Sequence, residues 1–140
     1  MKKIFFSSAF FMLVHLLCAQ SDPVLTVKVS KVKEVKGYMM IAVYDSAEKF
    51  LSKELVIGAR VAVDDEVITH HFKNLPYGNY AISVYHDVDS DGELATNFMG
   101  LPKEPYGFSN GGTNMLGVPS FKRSAFAYNK LKQEINIELK

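Results

Sequence analysis

Three aspartates alternate along the chain, Asp87, Asp89 and Asp91, and Gly92 follows them directly. Alternate carboxylates on a curling loop can converge on one cation, and glycine permits the sharp turn that this requires. The spacing matches positions 1, 3, 5 and 6 of a twelve-residue calcium loop. We therefore predict a metal site here, with calcium as the first candidate and magnesium or a transition metal as alternatives.

The second half of the calcium pattern is incomplete, because position 12 is Phe98 instead of a bidentate glutamate. Glu93 and Asn97 are the residues that would supply further oxygens. The segment before the loop is a predicted strand, so the motif is not an EF-hand. The alternative interpretation is a solvated acidic turn, since aspartate and glycine favour turn geometry without any ion. The hypothesis is that one calcium orders residues 92–112.

Aromatic side chains near the same loop suggest a platform for a sugar or a peptide, because tyrosine rings stack on apolar faces and donate through the hydroxyl. Tyr77, Tyr106 and Phe108 are the candidates, and the alternative is that they fill the core of the loop itself. Together with His86 and Asn110 they form the predicted ligand-binding set.

A hydrolase needs a nucleophile, a base and an orienting acid. Ser109, His86 and Asp87 are the candidate trio, but no Gly-x-Ser-x-Gly elbow accompanies the serine. The carboxylate pair Glu93 and Glu104 is the alternative, for glycoside hydrolysis. We predict that the protein is not an enzyme, with no catalytic residue assigned and a small hydrolase as the alternative.

The N-terminus has the features of a secretory signal peptide. Lys2 and Lys3 precede an apolar stretch over residues 4–17, and small residues follow it. The stretch is short for a membrane span of about 20 residues. We expect cleavage after Ala19, which gives a signal peptide over 1–19, and a lipoprotein cut before Cys18 is the alternative.

Composition limits the classes of partner. The chain of 140 residues has a formal net charge of +1, and losing Lys2 and Lys3 leaves 14 basic against 15 acidic residues, a net charge of −1. No basic cluster is present, so nucleic acid is not an expected partner. The mature chain has no other apolar stretch long enough to span a membrane. Cleavage after Ala19 also removes the single cysteine, and the protein is expected in the periplasm or outside the cell.

Short segments of alternating polarity predict strands along the chain, and residues 38–44, apolar on both faces, predict a strand in a sheet covered on both sides. Two strands flanking the acidic residues 64–66 are expected to form a hairpin, and Asp45 to begin a helix of one or two turns. The predicted strands are 25–32, 38–44, 60–63, 67–72, 80–86, 124–128 and 134–139, with a further short strand at 97–101.

The long segment over residues 87–120 is expected to be ordered, because its apolar residues could give it a core of its own: Phe98, Met99, Leu101, Tyr106 and Phe108. Seven or eight short strands with little helix predict an all-β fold, an antiparallel β-sandwich of immunoglobulin-like or prealbumin-like type. The sandwich has one short helix and a long ordered loop, and we expect one domain over residues 20–140.

A family resemblance follows from residues 72–121. The segment 72–81 resembles the "F-x-x-L-P-x-G-x-Y-A" turn of prealbumin-like and carboxypeptidase-regulatory-like domains. The run 106–110 is the most specific part of a wider pattern, and the chain resembles the bacterial domain of unknown function 2141 family from about Val24 to Leu139. The wider pattern includes His86-Asp87, Asp91-Gly92, Asn97, Gly100, Pro102-Lys103-Glu104 and Pro119-Ser120-Phe121.

The resemblance implies an exported, single-domain β-sandwich and supplies no activity. Ala95 stands where members of the family often carry an acidic residue, which weakens the case for a strong ion site. We predict a non-enzymatic binding or accessory module that uses residues 87–112 to bind a small molecule, a glycan or a protein. A purely structural or adhesive domain is a further alternative.

Overall fold

A computed structural model describes residues 22–111 and 117–140; the predicted signal peptide at 1–19 lies outside these residues. They form eight strands, one 3₁₀ turn at Ser109–Gly111 and one short helix, α1, at Phe121–Ser124. The strands are β1 (Val24–Ser30), β2 (Tyr38–Tyr44), β3 (Ile57–Ala62), β4 (Ile68–Lys73), β5 (Gly78–Asp87), β6 (Tyr106–Phe108), β7 (Phe126–Tyr128) and β8 (Glu134–Glu138).

The strands pack as two sheets, which confirms the predicted all-β sandwich. One sheet has the order β4-β1-β8, and the other has the order β3-β2-β5-β6, with β7 also paired to β5. All described strand pairs are antiparallel except β1 with β8. The ten-residue β5 is central, because β2 lies along one edge while β6 and β7 share the other.

Alternation along the strands places the core as predicted. Leu25, Val27 and Val29 of β1 are fully buried, and Ile135 and Ile137 of β8 lie beside them. Hydrophobic burial of this kind stabilises a domain by roughly 25 cal/mol per Å² of apolar surface. The residues of β5 that share a face also point into this core as expected: Tyr80, Ile82, Val84 and His86.

The predicted hairpin around residues 64–66 is wrong. β3 pairs with β2, whereas β4 pairs with β1 in the opposite sheet. The acidic turn therefore carries the chain from one sheet to the other, and Val63 beside it is buried. Period-two patterning and a short polar turn are the same for a hairpin and for a crossing between sheets, so the sequence does not distinguish them.

The predicted helix start at Asp45 is also wrong. Residues 45–52 form turns, with a single helical hydrogen bond from the Phe50 amide to the Ser46 carbonyl at 3.1 Å. The segment ends at Leu51, whose φ of 63° is left-handed and incompatible with a continuing helix. The short helix of this fold is α1 instead.

Gly107 on β6 marks a close approach of the two sheets. A Cβ atom there would lie 2.7 Å from Ile137 Cγ2 and 2.8 Å from the Glu138 carbonyl oxygen. Real Cβ atoms do not approach backbone oxygen so closely, so β8 can pass over β6 only where the side chain is absent.

We predict that Gly107→Ala lowers the free energy of unfolding by about 1–3 kcal/mol, because overpacking must displace β8. Gly78→Ala is the matched control, since its Cβ would make an ordinary 3.4 Å contact with the Tyr80 ring. Urea unfolding of both variants measures the difference, and equal stabilities would contradict the close approach.

Candidate metal site and ligand groove

The acidic loop begins where β5 ends, at Asp87. This carboxylate is fully buried, and its two oxygens accept from the Asp91 and Gly92 amides at 3.1 Å each. Positive φ angles at Ser90 (65°) and Gly92 (81°) bend the chain back to make these contacts. The hydrogen bonds compensate the cost of burying a charge, so the loop is wrapped around the Asp87 side chain.

The predicted carboxylate cluster is brought together. Asp87, Asp89 and Asp91 each offer an oxygen, and these oxygens lie within 4.8 Å of one another. Asp89 and Asp91 are exposed, and Asp91 Oδ1 also accepts from the Glu93 amide at 2.8 Å. The arrangement clusters hard oxygen atoms, two carboxylates exposed and one buried, and such oxygens are the ligands that calcium or magnesium prefers.

The other two predicted metal ligands do not join this group. The Glu93 carboxylate is outside the cluster. Asn97 Oδ1 accepts from the Met99 and Leu101 amides at 2.9 and 3.0 Å, so it closes a separate turn. The cluster therefore offers three carboxylates instead of a complete calcium shell.

Glu104 orders the loop in a way that sequence reasoning missed. Its Oε1 accepts from the Val88 amide at 3.0 Å, and its Oε2 accepts from the Ala95 amide at 3.1 Å. This half-buried carboxylate thus ties the start of the loop to its middle. Its distance in sequence from both amides leaves no local signal by which the role could be found.

The core that the sequence suggests for the loop forms only in part: Phe108 is buried and Tyr106 half-buried, but the other three residues are exposed. Phe98 is 98% exposed, Met99 68% and Leu101 47%. Hydrogen bonds that backbone amides donate to the Asp87 and Glu104 carboxylates shape the first part of the loop.

His86 lies in the core beside Met39 of β2. Its Nε2 is 2.7 Å from the Lys36 carbonyl oxygen, which can only accept, so Nε2 carries the hydrogen. Its buried Nδ1 has no hydrogen-bond partner among the described residues. The ring therefore occupies the core behind the loop and does not reach the acidic cluster's solvent side.

Ser109 is engaged in the fold. Its Oγ accepts from the Ile82 amide at 2.9 Å and donates to the Ser124 carbonyl at 2.5 Å. His86 lies four residues further along β5 than Ile82, which is about 13 Å of strand. The trio of Ser109, His86 and Asp87 is therefore not assembled.

The predicted aromatic platform is divided between two places. Tyr77 lies just before β5, where its ring centroid is 5.0 Å from that of Tyr128. Tyr106 and Phe108 lie on β6, with ring centroids 5.9 Å apart. Asn110 adopts a left-handed φ of 58°, and its Nδ2 donates to the Ala125 carbonyl.

The outer face of the five-stranded sheet, which points away from the other sheet, carries a groove that the sequence did not reveal. Strand register aligns one row of large side chains across it: Arg60 of β3, Met40 of β2, Tyr85 of β5 and Tyr106 of β6. Burial and then the negative charges of the acidic loop, Asp87 first, raise the pKa of the Tyr85 phenol. Its hydroxyl donates to the Gly92 carbonyl at 3.2 Å.

The next row is small, and it forms the floor of the groove. Gly58, Ala42 and Ser83 lie in register on β3, β2 and β5. Their size leaves a cavity of about 750 Å³ between the row of large residues and the turns that cover the sheet. An adjoining hollow of about 250 Å³ shares Ser83 and extends to Tyr106 and Phe108.

Two loops form the walls of this outer-face groove. Leu51 and Leu55 come from the turn after β2, and Gly92 and Leu94 come from the acidic loop. Beyond one end, Phe50 packs between Tyr44, Phe108 and Phe121 with centroid distances of 5.4, 6.2 and 5.9 Å. The acidic loop is therefore one wall of the groove as well as a cluster of carboxylates.

Fold and site together define a small β-sandwich with a groove on one sheet and an acidic loop at its margin. A family model described as "Uncharacterized protein conserved in bacteria (DUF2141)" matches residues 27–136, and the chain belongs to this family. This confirms the resemblance that the sequence motifs indicated. No curated protein and no solved structure matches the chain.

Within residues 22–111 and 117–140, no helix has the length and apolar character needed to cross a membrane.

We predict that Glu104→Gln destabilises the loop, because one of its two amide contacts then faces an NH₂ group. The free energy of unfolding is expected to fall by about 1–3 kcal/mol, and hydrogen exchange at the Val88 and Ala95 amides should become faster. Glu93→Gln removes the same charge from an exposed side chain and should change stability by less than about 0.5 kcal/mol. Equal effects of the two variants would show that charge alone is responsible.

Proposed function

We propose that this protein is a non-enzymatic binding module whose ligand lies in the outer-face groove. The main support is that the acidic loop and the sheet line the same cavity of about 750 Å³. Gly92 and Leu94 of the loop and Met40 and Ala42 of the sheet belong to its lining. Concave, mostly apolar sites of about 300–1,000 Å³ are typical of small-molecule binding. The loop of residues 87–112, described as far as Gly111, is thus the binding edge.

A binding role is favoured over hydrolysis because the candidate nucleophile Ser109 is engaged in hydrogen bonds and the described lining of the groove offers no general base. The Ser109 hydroxyl is buried and hydrogen-bonded on both sides, so its attack on a substrate would require the fold to open. Among the described residues, the groove lining contains no histidine or carboxylate to act as a general base. We further propose that the protein acts in the periplasm or outside the cell, which rests on the N-terminal sequence features alone.

We also propose that one calcium ion binds Asp87, Asp89 and Asp91. The support is the convergence of their oxygens within 4.8 Å, which places like charges where a divalent cation would relieve their repulsion. Solvent would complete the coordination, since the cluster supplies three carboxylates. Such an ion would fix the loop that forms one wall of the groove.

The calcium proposal predicts that millimolar calcium raises the melting temperature of the domain, from residue 20 onward, by several degrees over the value in EDTA. The reason is that an ion bound only to the native state stabilises it by about 2.7 kcal/mol at one hundred times its dissociation constant. Asp89→Asn with Asp91→Asn should abolish this shift, while the amide oxygen introduced at position 91 can still accept from the Glu93 amide.

The matched control for that experiment is Asp64→Asn with Asp65→Asn, which removes two charges from the exposed turn between β3 and β4. This variant should keep the full calcium shift. No shift in the unmodified domain, or the same shift in the Asp89/Asp91 variant, would refute the calcium site and leave the aspartates as a hydrogen-bonded turn.

The groove proposal predicts that a neutral apolar fluorophore such as Nile red binds with a blue-shifted, enhanced emission. Ser83→Leu should abolish this binding, because Ser83 lines both hollows and leucine fills the floor. Val67→Ala changes an exposed side chain outside the groove and should leave binding unchanged. Undiminished emission with the Ser83 variant would place the dye elsewhere and contradict the groove as the site.

A further inference from the structure

We propose that the groove binds an amphipathic anion, a molecule with one small anionic head and an aliphatic tail of medium length. This inference rests on the proposed binding role of the groove, but it does not depend on the calcium site. It follows from the distribution of charge and apolar surface along the groove.

The anionic head of the ligand is assigned by the cations of the lining, of which Arg60 lies at the end of the groove on the edge strand β3. Among the described residues of the lining, Lys53 and Arg60 are the only ionised side chains, and both are cations. Neither forms an ion pair within the described part of the chain. The Arg60 guanidinium lies 3.4 Å from the centre of the Tyr38 ring, which orients it while leaving its donors free of any described carboxylate. An anionic group is the complement of this end.

The aliphatic tail of the ligand is assigned by the apolar lining of the groove at its other end, on β5 and β6. The adjoining hollow is lined by Leu94, Pro102, Tyr106, Phe108 and Val118, and no ionised side chain of residues 22–111 or 117–140 lines it. A flexible apolar chain gains free energy by leaving water at this end, whereas a charged or strongly polar group would lose its hydration.

The path between the two ends fits an extended chain. The small row Gly58, Ala42 and Ser83 crosses the strands, so a ligand on this floor runs across β3, β2, β5 and β6. Three strand spacings correspond to about 14 Å, which suits a medium-length aliphatic chain. A peptide cannot add as a strand here, because the face of a sheet offers no free backbone ladder.

The test is calorimetric titration of the full mature domain with decanoate and decyltrimethylammonium, each below its micelle concentration, and with decanol below its solubility limit. We expect one decanoate to bind per chain, about tenfold more tightly than decanol, because of these three only decanoate pairs with Lys53 and Arg60. Decyltrimethylammonium should bind more weakly than decanol. Decyl phosphate is included to distinguish a carboxylate from a phosphate head.

Variants locate the two ends. Arg60→Gln and Lys53→Gln should each weaken the binding of decanoate by about fivefold to tenfold. The affinity for decanol should stay unchanged, since only contacts to the anionic head are lost. Lys130→Gln removes an exposed cation outside the groove and should change the affinity for neither decanoate nor decanol. Ser83→Leu should abolish binding of both, with circular dichroism confirming the fold.

Each outcome decides the proposal. Decanol or the cation binding as tightly as decanoate would overturn the anionic head, while Nile red binding would still support the groove as a site. Failure of decanoate and Nile red together would overturn both the ligand class and the binding role. Sedimentation that shows a dimer dispersed by Ser83→Leu would assign the groove to a second copy and refute the proposal.

Discussion

The buried carboxylate of Asp87 is the interaction on which the functional face of this molecule depends. A full charge at the end of the central strand is tolerated because two backbone amides donate to it. Those two bonds set the curvature of the loop, which then places Gly92 within reach of the Tyr85 hydroxyl and Leu94 over the sheet. The wall of the groove is therefore positioned by hydrogen bonds and not by an apolar core.

The sheet contributes a second constraint, which is the alternation of β5. Its inward residues complete the core, so its outward residues are free to shape the opposite face. There the sequence places Ser83 two residues before Tyr85, and Ala42 and Gly58 lie beside the serine in register. Small side chains on three adjacent strands leave a trough across the sheet, and Gly58 also lets Leu55 approach closely.

Local patterns in the sequence predicted the strands well, because alternation reports directly which residues leave water. The inward faces of β1, β5 and β8 followed from alternation, whereas the outline of β2 followed from its continuous apolar run. Two features failed for different reasons: the segment after Asp45 ends at Leu51, whose left-handed φ stops a helix, and the turn at residues 64–66 depends on which sheet the next strand joins. That choice is made by packing over long distances in sequence and leaves no local mark.

The candidate site was predictable only where its residues are neighbours in sequence. The aspartate cluster satisfies this condition, since alternation and glycine bring Asp87, Asp89 and Asp91 together within one turn. The contact of Glu104 with Val88 and Ala95 does not, and neither does the groove floor, which joins residues of three strands. Register between strands creates the groove, and register becomes visible only in the folded chain.

Electrostatics links the two proposed sites. The charges of Asp87 and its acidic neighbours act on Tyr85, where they add to burial in raising the pKa of the phenol. An anion in the groove would lie in the same field and be repelled by it, although the cations Lys53 and Arg60 of the lining offset this repulsion. A divalent cation on the aspartates would reduce the repulsion, so it would strengthen binding of the anion. By thermodynamic reciprocity, the anion would strengthen binding of the cation by the same factor. Because the acidic cluster lies beside a groove that two cations line, binding of a divalent cation and binding of an anion would be coupled, which neither site alone would produce.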